Sequence, residues 1–112
     1  MKLGLKIATA AAALATIGAA GVTFADAPPS WAVGSYRGNS PVNNFREELH
    51  ISSGGLVHLV MFKNHGETGR DGTWVGNHIQ FGHQKYLVYQ TSDGMRIMKA
   101  SNHSDNTIFQ RQ

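Results

Sequence analysis

The sequence predicts an all-β domain: a small antiparallel meander of about six to eight short strands that closes, fully or partly, into a β-barrel. Three observations support this prediction. Short runs rich in Val, Ile, Phe, Tyr and Trp are separated at regular intervals by Gly, Asn, Asp and Ser. After residue 25, no ten-residue stretch has apolar residues at helical spacing. Closure would remove exposed strand edges, and the many glycines would supply the bends that closure needs.

Residues 1–25 have the pattern of an export signal. Two lysines flank the start, an Ala-rich apolar run follows, and small residues stand at the third and first positions before an expected cut after Ala25. The apolar run is shorter than the roughly 20 residues that a spanning helix needs, so we expect no transmembrane anchor. Residues 26–112 should then be one small periplasmic or secreted domain, with a cut after Ala27 as the alternative.

The charge of the predicted mature chain is small. The full sequence has ten Lys and Arg and seven Asp and Glu, but two of the lysines belong to the signal, which leaves eight basic residues and a net charge of +1. These basic residues are spread almost evenly and form no stripe that could follow a row of phosphates. We therefore expect no nucleic acid partner.

Cysteine is absent from the chain, so disulfides cannot reinforce this small exported domain. Its stability must come from packing, from closure of the sheet or from association. This composition favours a bacterial envelope compartment over a eukaryotic extracellular one.

The turn signals set the strand boundaries. Ser53–Gly55 and Ser92–Gly94 offer residues that accept a positive φ and predict two tight hairpins. Weaker signals at Gly76 and Gly82 are either turns or bulges. The stretch from Lys63 to Gly72 contains three glycines and four charged residues, which predicts a loop. The predicted strands are residues 31–37, 44–52, 56–63, 72–77, 79–81, 85–91, 95–101 and 107–111.

One carboxylate interrupts an otherwise apolar face. Phe45, Leu49 and Ile51 alternate with polar residues and should face the core, and Glu47 belongs to the same set. Since an unpaired buried charge is costly, Glu47 must lie at the rim, pair with a cation or mark a polar interior.

The first predicted strand carries a family resemblance. Trp31, Gly34 and Tyr36, in the pattern Trp-x-x-Gly-x-Tyr ahead of a meander, resemble the first strand of lipocalin and avidin barrels. The resemblance covers that strand alone and carries no ligand or binding residue across. At this size we expect large apolar side chains to fill the interior and to leave little room for a ligand.

No constellation of catalytic residues is apparent. The chain has no cysteine and no Gly-x-Ser-x-Gly motif. Glu47 and Glu48 are adjacent on a predicted strand, so they point to opposite faces and cannot flank one bond together. We predict a protein without enzymatic activity and without a cofactor.

The leading hypothesis is a binding module that recognises its partner through its outer surface. The strand at residues 56–62 is apolar on both faces, so Leu59 and Met61 are candidate contacts, and the predicted 63–72 loop offers Arg70 and Asp71. The expected partner is another protein or an envelope component. A homodimer is also possible.

The alternative is a carrier of a small ligand or metal ion at the barrel mouth. If the turn at Ser53–Gly55 has three residues, His50 and His58 lie directly opposite each other on neighbouring strands and could share a metal ion. No third ligand has a predictable position.

Overall fold

The computed structural model describes residues 24–112, so the predicted signal peptide lies outside the described residues except for its last two positions. Eight antiparallel strands form a closed barrel in which each strand pairs with the next and β8 pairs with β1. The predicted all-β barrel is therefore confirmed. The strands are β1 Gly34–Asn39, β2 Arg46–Ile51, β3 Leu56–Lys63, β4 Gly66–Val75, β5 His78–Phe81, β6 Gln84–Gln90, β7 Gly94–Lys99 and β8 Asn106–Arg111.

A single turn of 3-10 helix, Ser30–Ala32, precedes β1 in place of the predicted start of the first strand. The Ala32 N–H donates to the carbonyl of Pro29 at 2.9 Å, and the Tyr36 hydroxyl donates to the carbonyl of Ala32 at 2.9 Å. These bonds turn the chain across one end of the barrel. Within the described part of the chain, no helix is long and apolar enough to span a bilayer.

The predicted loop from Lys63 to Gly72 is wrong. Only Asn64 and His65 form a turn, and β4 begins at Gly66 and pairs with β3 from Gly66 to Thr73. The segment is polar because much of it faces solvent, as its exposed residues 66–71 indicate. This segment is a strand because its backbone groups pair with those of the strongly apolar β3. The polar composition of the segment does not reveal that pairing.

The β4 strand has 10 residues, and β5, its neighbour on the side away from β3, has 4. β5 pairs only with Thr73–Val75, so within residues 24–112 no strand pairs with Gly66–Gly72 on the side away from β3. Among the described strands, Gly66–Gly72 is therefore hydrogen-bonded to β3 alone, at the end of the barrel away from the 3-10 helix.

Glycines act differently at different turns. Gly76 and Gly82 have φ of +61° and +59°, so both weaker signals are turns rather than bulges. Gly94 does not have a positive φ. It is needed because a Cβ there would collide with the carbonyl oxygen of Phe109 on β8.

The core lies toward the end that the 3-10 helix covers, which we call the closed end. The indole of Trp31 meets that of Trp74 edge to face, with ring centroids 6.4 Å apart. The Arg111 guanidinium lies over the Tyr36 ring at 4.9 Å. The buried core cluster of the barrel consists of Ala32, Tyr36, Leu49, Ile51, Val57, Trp74, Ile79, Phe81, Met95, Ile97 and Phe109.

Candidate binding cavity

The opposite end of the barrel, which we call the open end, contains a cavity of about 370 Å³. The expectation of an interior with little room is therefore wrong. Both tryptophans and Tyr36 pack at the closed end, whereas the open end combines Phe81, Tyr86 and Phe109 with polar side chains. The lining residues are Ser40, Val42, Asn43, Glu47, Leu59, Met61, Lys63, Thr68, Arg70, Phe81, Tyr86, Ile97, Asp105, Thr107 and Phe109.

Two glycines shape the cavity wall. A Cβ on Gly38 of β1 would lie 2.6 Å from the carbonyl oxygen of Ile108 and 3.1 Å from Cγ2 of Thr107. A Cβ on Gly72 of β4 would lie 2.7 Å from Cδ1 of Phe81. The missing side chains therefore leave the space that Thr107 and Phe81 occupy.

Glu47 is the buried charged group of this cavity. Its exposed fraction is 6 %, and the Thr107 hydroxyl donates to its Oε1 at 3.4 Å. Glu47 is on β2 and Thr107 is on β8, and β1 lies between these two strands. The β1 residue paired with Glu47 is Gly38, which has no side chain to separate them. Of the three positions that the sequence allowed, the structure gives the polar interior.

Burial raises the pKa of the Glu47 carboxyl above its ordinary value, because the low-dielectric interior disfavours the charged form. The hydrogen bond from Thr107 opposes this shift, the charge of Asp105 adds to it, and the charge of Arg70 opposes it. In residues 24–112 no cationic group lies within ion-pair distance of Glu47.

Arg70 lines the cavity from β4 and contacts aromatic rings. Its guanidinium carbon is 4.8 Å from the centroid of Phe81 and 5.9 Å from that of Tyr86. These two rings meet edge to face with centroids 5.5 Å apart. Acidic side chains and a cation that rests on aromatic rings thus border the same cavity.

The four predicted partner contacts fall in two places. Leu59, Met61 and Arg70 all line the cavity. Asp71 is exposed and lies outside, where its Oδ1 is 2.6 Å from Nδ1 of His58. Contact of these four residues with a protein partner stays a prediction.

His50 and His58 are directly opposite each other in the β2–β3 ladder. Each imidazole is held by a different outer neighbour: Nδ1 of His50 lies 2.9 Å from the Ser35 hydroxyl, and Nδ1 of His58 contacts Asp71. No group of three or more His, Cys, Asp or Glu side chains in the described residues is placed to hold a metal ion. Metal binding by the histidine pair stays a prediction.

Sequence reasoning did not select several cavity residues, among them Tyr86, Thr107 and Phe109. Their apolar or small side chains look like ordinary core residues of a strand. The available signal was Glu47, whose position in an inward-facing set allowed a polar interior as one of three interpretations. Thr107 and Phe109, two residues apart on β8, necessarily share one face.

No protein-family model matches this sequence, and no curated protein matches it. Two solved structures from Streptococcus pneumoniae are similar to the chain: a protein provisionally described as a lipoprotein, and a lipocalin lipoprotein affecting virulence. Their TM-scores are 0.63 and 0.64, each at 14 % identity, and each comparison covers 78 % of this chain and 99 % of the other. The likeness is one of fold, and one of these two neighbours is described as a lipocalin.

Proposed function

We propose that this protein is a non-catalytic binding module that takes a small, largely apolar molecule into the open end of its barrel. The observation that carries this proposal is the cavity of about 370 Å³. Ligand pockets range from roughly 300 to 1,000 Å³ and combine apolar walls with a few placed polar groups. Here Leu59, Phe81 and Ile97 supply apolar wall, and Glu47 and Arg70 supply the polar groups.

The cavity accounts for more of the candidate residues than an outer surface does. Three of the four residues selected for partner contact, Leu59, Met61 and Arg70, line it. The small-ligand alternative is therefore the better supported hypothesis. Recognition of another protein, of an envelope component or of a second copy remains a separate prediction.

The proposal places the protein in the cell envelope or outside the cell. The export pattern of residues 1–25 supports this location. The two structural neighbours are described as lipoproteins, which is consistent with it. The proposal includes no catalytic step, because Thr107 and Arg70 provide a hydrogen bond and aromatic contacts rather than a nucleophile with its base.

Filling the cavity tests the proposal. Leu59→Trp puts a larger side chain into the cavity, and Leu56→Trp makes the same change on the same strand at a side chain that is 57 % exposed. With the neutral fluorescent probe N-phenyl-1-naphthylamine, we expect the wild type and Leu56→Trp to bind equally and Leu59→Trp to bind at least about tenfold more weakly.

A thermal melt of each variant separates lost binding from lost folding. If Leu59→Trp does not fold, Met61→Trp fills the same cavity nearer its mouth. Absence of probe binding by the wild type would overturn the proposal, and so would unchanged binding by a folded, cavity-filled variant.

A further inference from the structure

The Glu47 carboxyl has unused capacity to accept hydrogen bonds. It is more than nine-tenths buried, and it accepts one long bond, from Thr107 at 3.4 Å. Among the described residues it has no ion pair and no second hydrogen bond. It nevertheless lines the cavity, so its free oxygen is accessible to whatever enters.

The surroundings of Glu47 favour a cation over an anion. Asp105 lines the same cavity and lies close enough to raise the pKa of Glu47 through its charge. The two cationic residues in the lining are both exposed: Lys63 at the end of β3, and Arg70, whose guanidinium rests on the rings of Phe81 and Tyr86. The most deeply buried charge in the cavity is therefore negative.

We infer that the ligand carries a protonated amine that donates to the Glu47 carboxylate while its apolar body packs against Phe81, Tyr86 and Phe109. This inference rests on the proposed function, since it names the chemical class of molecule that the cavity takes. A small aromatic or aliphatic amine satisfies it, and a fatty acid or another carboxylate does not.

The physical reason is the cost of an unpaired buried charge. An ionised carboxylate removed from water loses hydration that one long hydrogen bond does not replace. An ammonium group that enters with the ligand supplies an opposite charge and several N–H donors. The aromatic rings that line the cavity also attract a cation by their faces.

Acidification should weaken binding of an amine. Burial raises the pKa of Glu47, so its carboxylate is protonated at a higher pH than an exposed glutamate and then no longer attracts a cation. The charged groups that face it are Lys63 from β3, Arg70 from β4 and Asp105 from the turn before β8. No histidine lines the cavity in the part of the chain that the structure describes.

Three ligands with one body and different head groups test the inference: 1-naphthylmethylamine, 1-naphthalenemethanol and 1-naphthoic acid. Calorimetry at neutral pH should rank the amine first, the neutral alcohol second and the acid last. Glu47→Gln should reduce affinity for the amine by at least about tenfold, the usual effect of a charge-assisted hydrogen bond, and should reduce affinity for the alcohol much less.

Glu48→Gln is the matched control. It removes the same charge from the neighbouring residue, which faces outward and pairs with Arg37 at 3.4 Å, so it should leave the preference for the amine intact. If the wild type binds the alcohol as tightly as the amine, or Glu47→Gln keeps the preference, the inference fails and the proposed function survives. If no member of the series binds, the proposed function fails as well.

Discussion

Each end of this barrel has an arginine over an aromatic ring, and the two arginines differ in how they are held. At the closed end, Arg111 lies over Tyr36 and donates hydrogen bonds to the Tyr36 hydroxyl at 2.8 Å and to the carbonyls of Val33, at 2.9 Å, and Trp31. At the open end, Arg70 lies over Phe81 at a similar distance of 4.8 Å and makes no hydrogen bond to the described residues. Among the described residues, hydrogen bonds and a ring contact hold the Arg111 guanidinium, whereas ring contacts alone hold that of Arg70.

The same contrast extends to the buried side chains around these arginines. The closed end contains Trp74 and Tyr36, which are almost fully buried with all polar atoms bonded. The open end contains Glu47, which burial makes costly to ionise. The best-packed side chains thus lie at the closed end, and the polar group that is costly to bury lies at the end that we propose binds a ligand, as is common where function limits stability.

The largest expected effect is loss of a closed-end side chain. Trp74→Ala should lower the free energy of unfolding by about 3 to 5 kcal/mol, because it removes a large side chain that is 1 % exposed. Met61→Ala, at the cavity, should lower it by about 1 kcal/mol or less, because Met61 already borders space and only part of its surface is buried. Urea denaturation measures both changes in the free energy of unfolding. Equal changes would contradict the proposal that the closed end contributes more to stability than the open end.

Glycine substitutions should give intermediate effects that differ between the ends. Gly94→Ala, at the closed end, should cost roughly 2 to 3 kcal/mol, since its Cβ meets the backbone of β8. Gly82→Ala, in the turn at the open end, should cost about 1 kcal/mol, because no atom lies within 4 Å and only the positive φ opposes it. Thermal melts compare the two variants. A larger loss for Gly82→Ala would mean that the close approach of β7 and β8 is not what requires glycine.

The smallest expected effect is a gain in stability that depends on pH. The folded protein holds the Glu47 proton more tightly than the unfolded chain, so this carboxyl opposes folding as the pH rises through its raised pKa. Glu47→Gln should therefore be more stable than the wild type at neutral pH, by roughly 0.5 to 2 kcal/mol, and the difference should vanish below about pH 4.

Glu48→Gln serves as the control for this stability measurement as well. Its carboxylate is part of an outer ion pair, so the change should stay within about 0.5 kcal/mol across the same pH range. A gain at Glu47 that does not depend on pH would mean that burial of the charge is not its cause.

The fold was predictable because its causes are local. A run of apolar, β-branched and aromatic residues placed β3 at its observed bounds, Leu56–Lys63, and the turn glycines placed most of the other strands. The first six residues of β4, 66–71, could not be predicted as a strand in this way. Residues 66–71 face solvent and contain two glycines, so their composition is that of a loop, and only pairing with β3 makes them a strand.

The cavity was less predictable than the fold because its volume depends on distances across the barrel. A sequence indicates that Glu47 faces inward, but not that Thr107 reaches it over Gly38. Likewise, Arg70 was selected as a loop residue on the outer surface, and its position in the cavity follows from the register that pairs it with Leu59. The sequence shows which residue types are present, but it does not show which of them contact each other across the barrel.

The one-sided ladder of Gly66–Gly72 has a mechanical consequence. Because no second strand pairs with this segment, alternate amide groups along it face away from β3 without a backbone partner among the described residues, and local opening here breaks backbone bonds to one neighbouring strand alone. Its amide protons should exchange with deuterium first. We therefore expect the β3–β4 hairpin to open locally, and so to admit solvent at the open end, before the rest of the barrel unfolds.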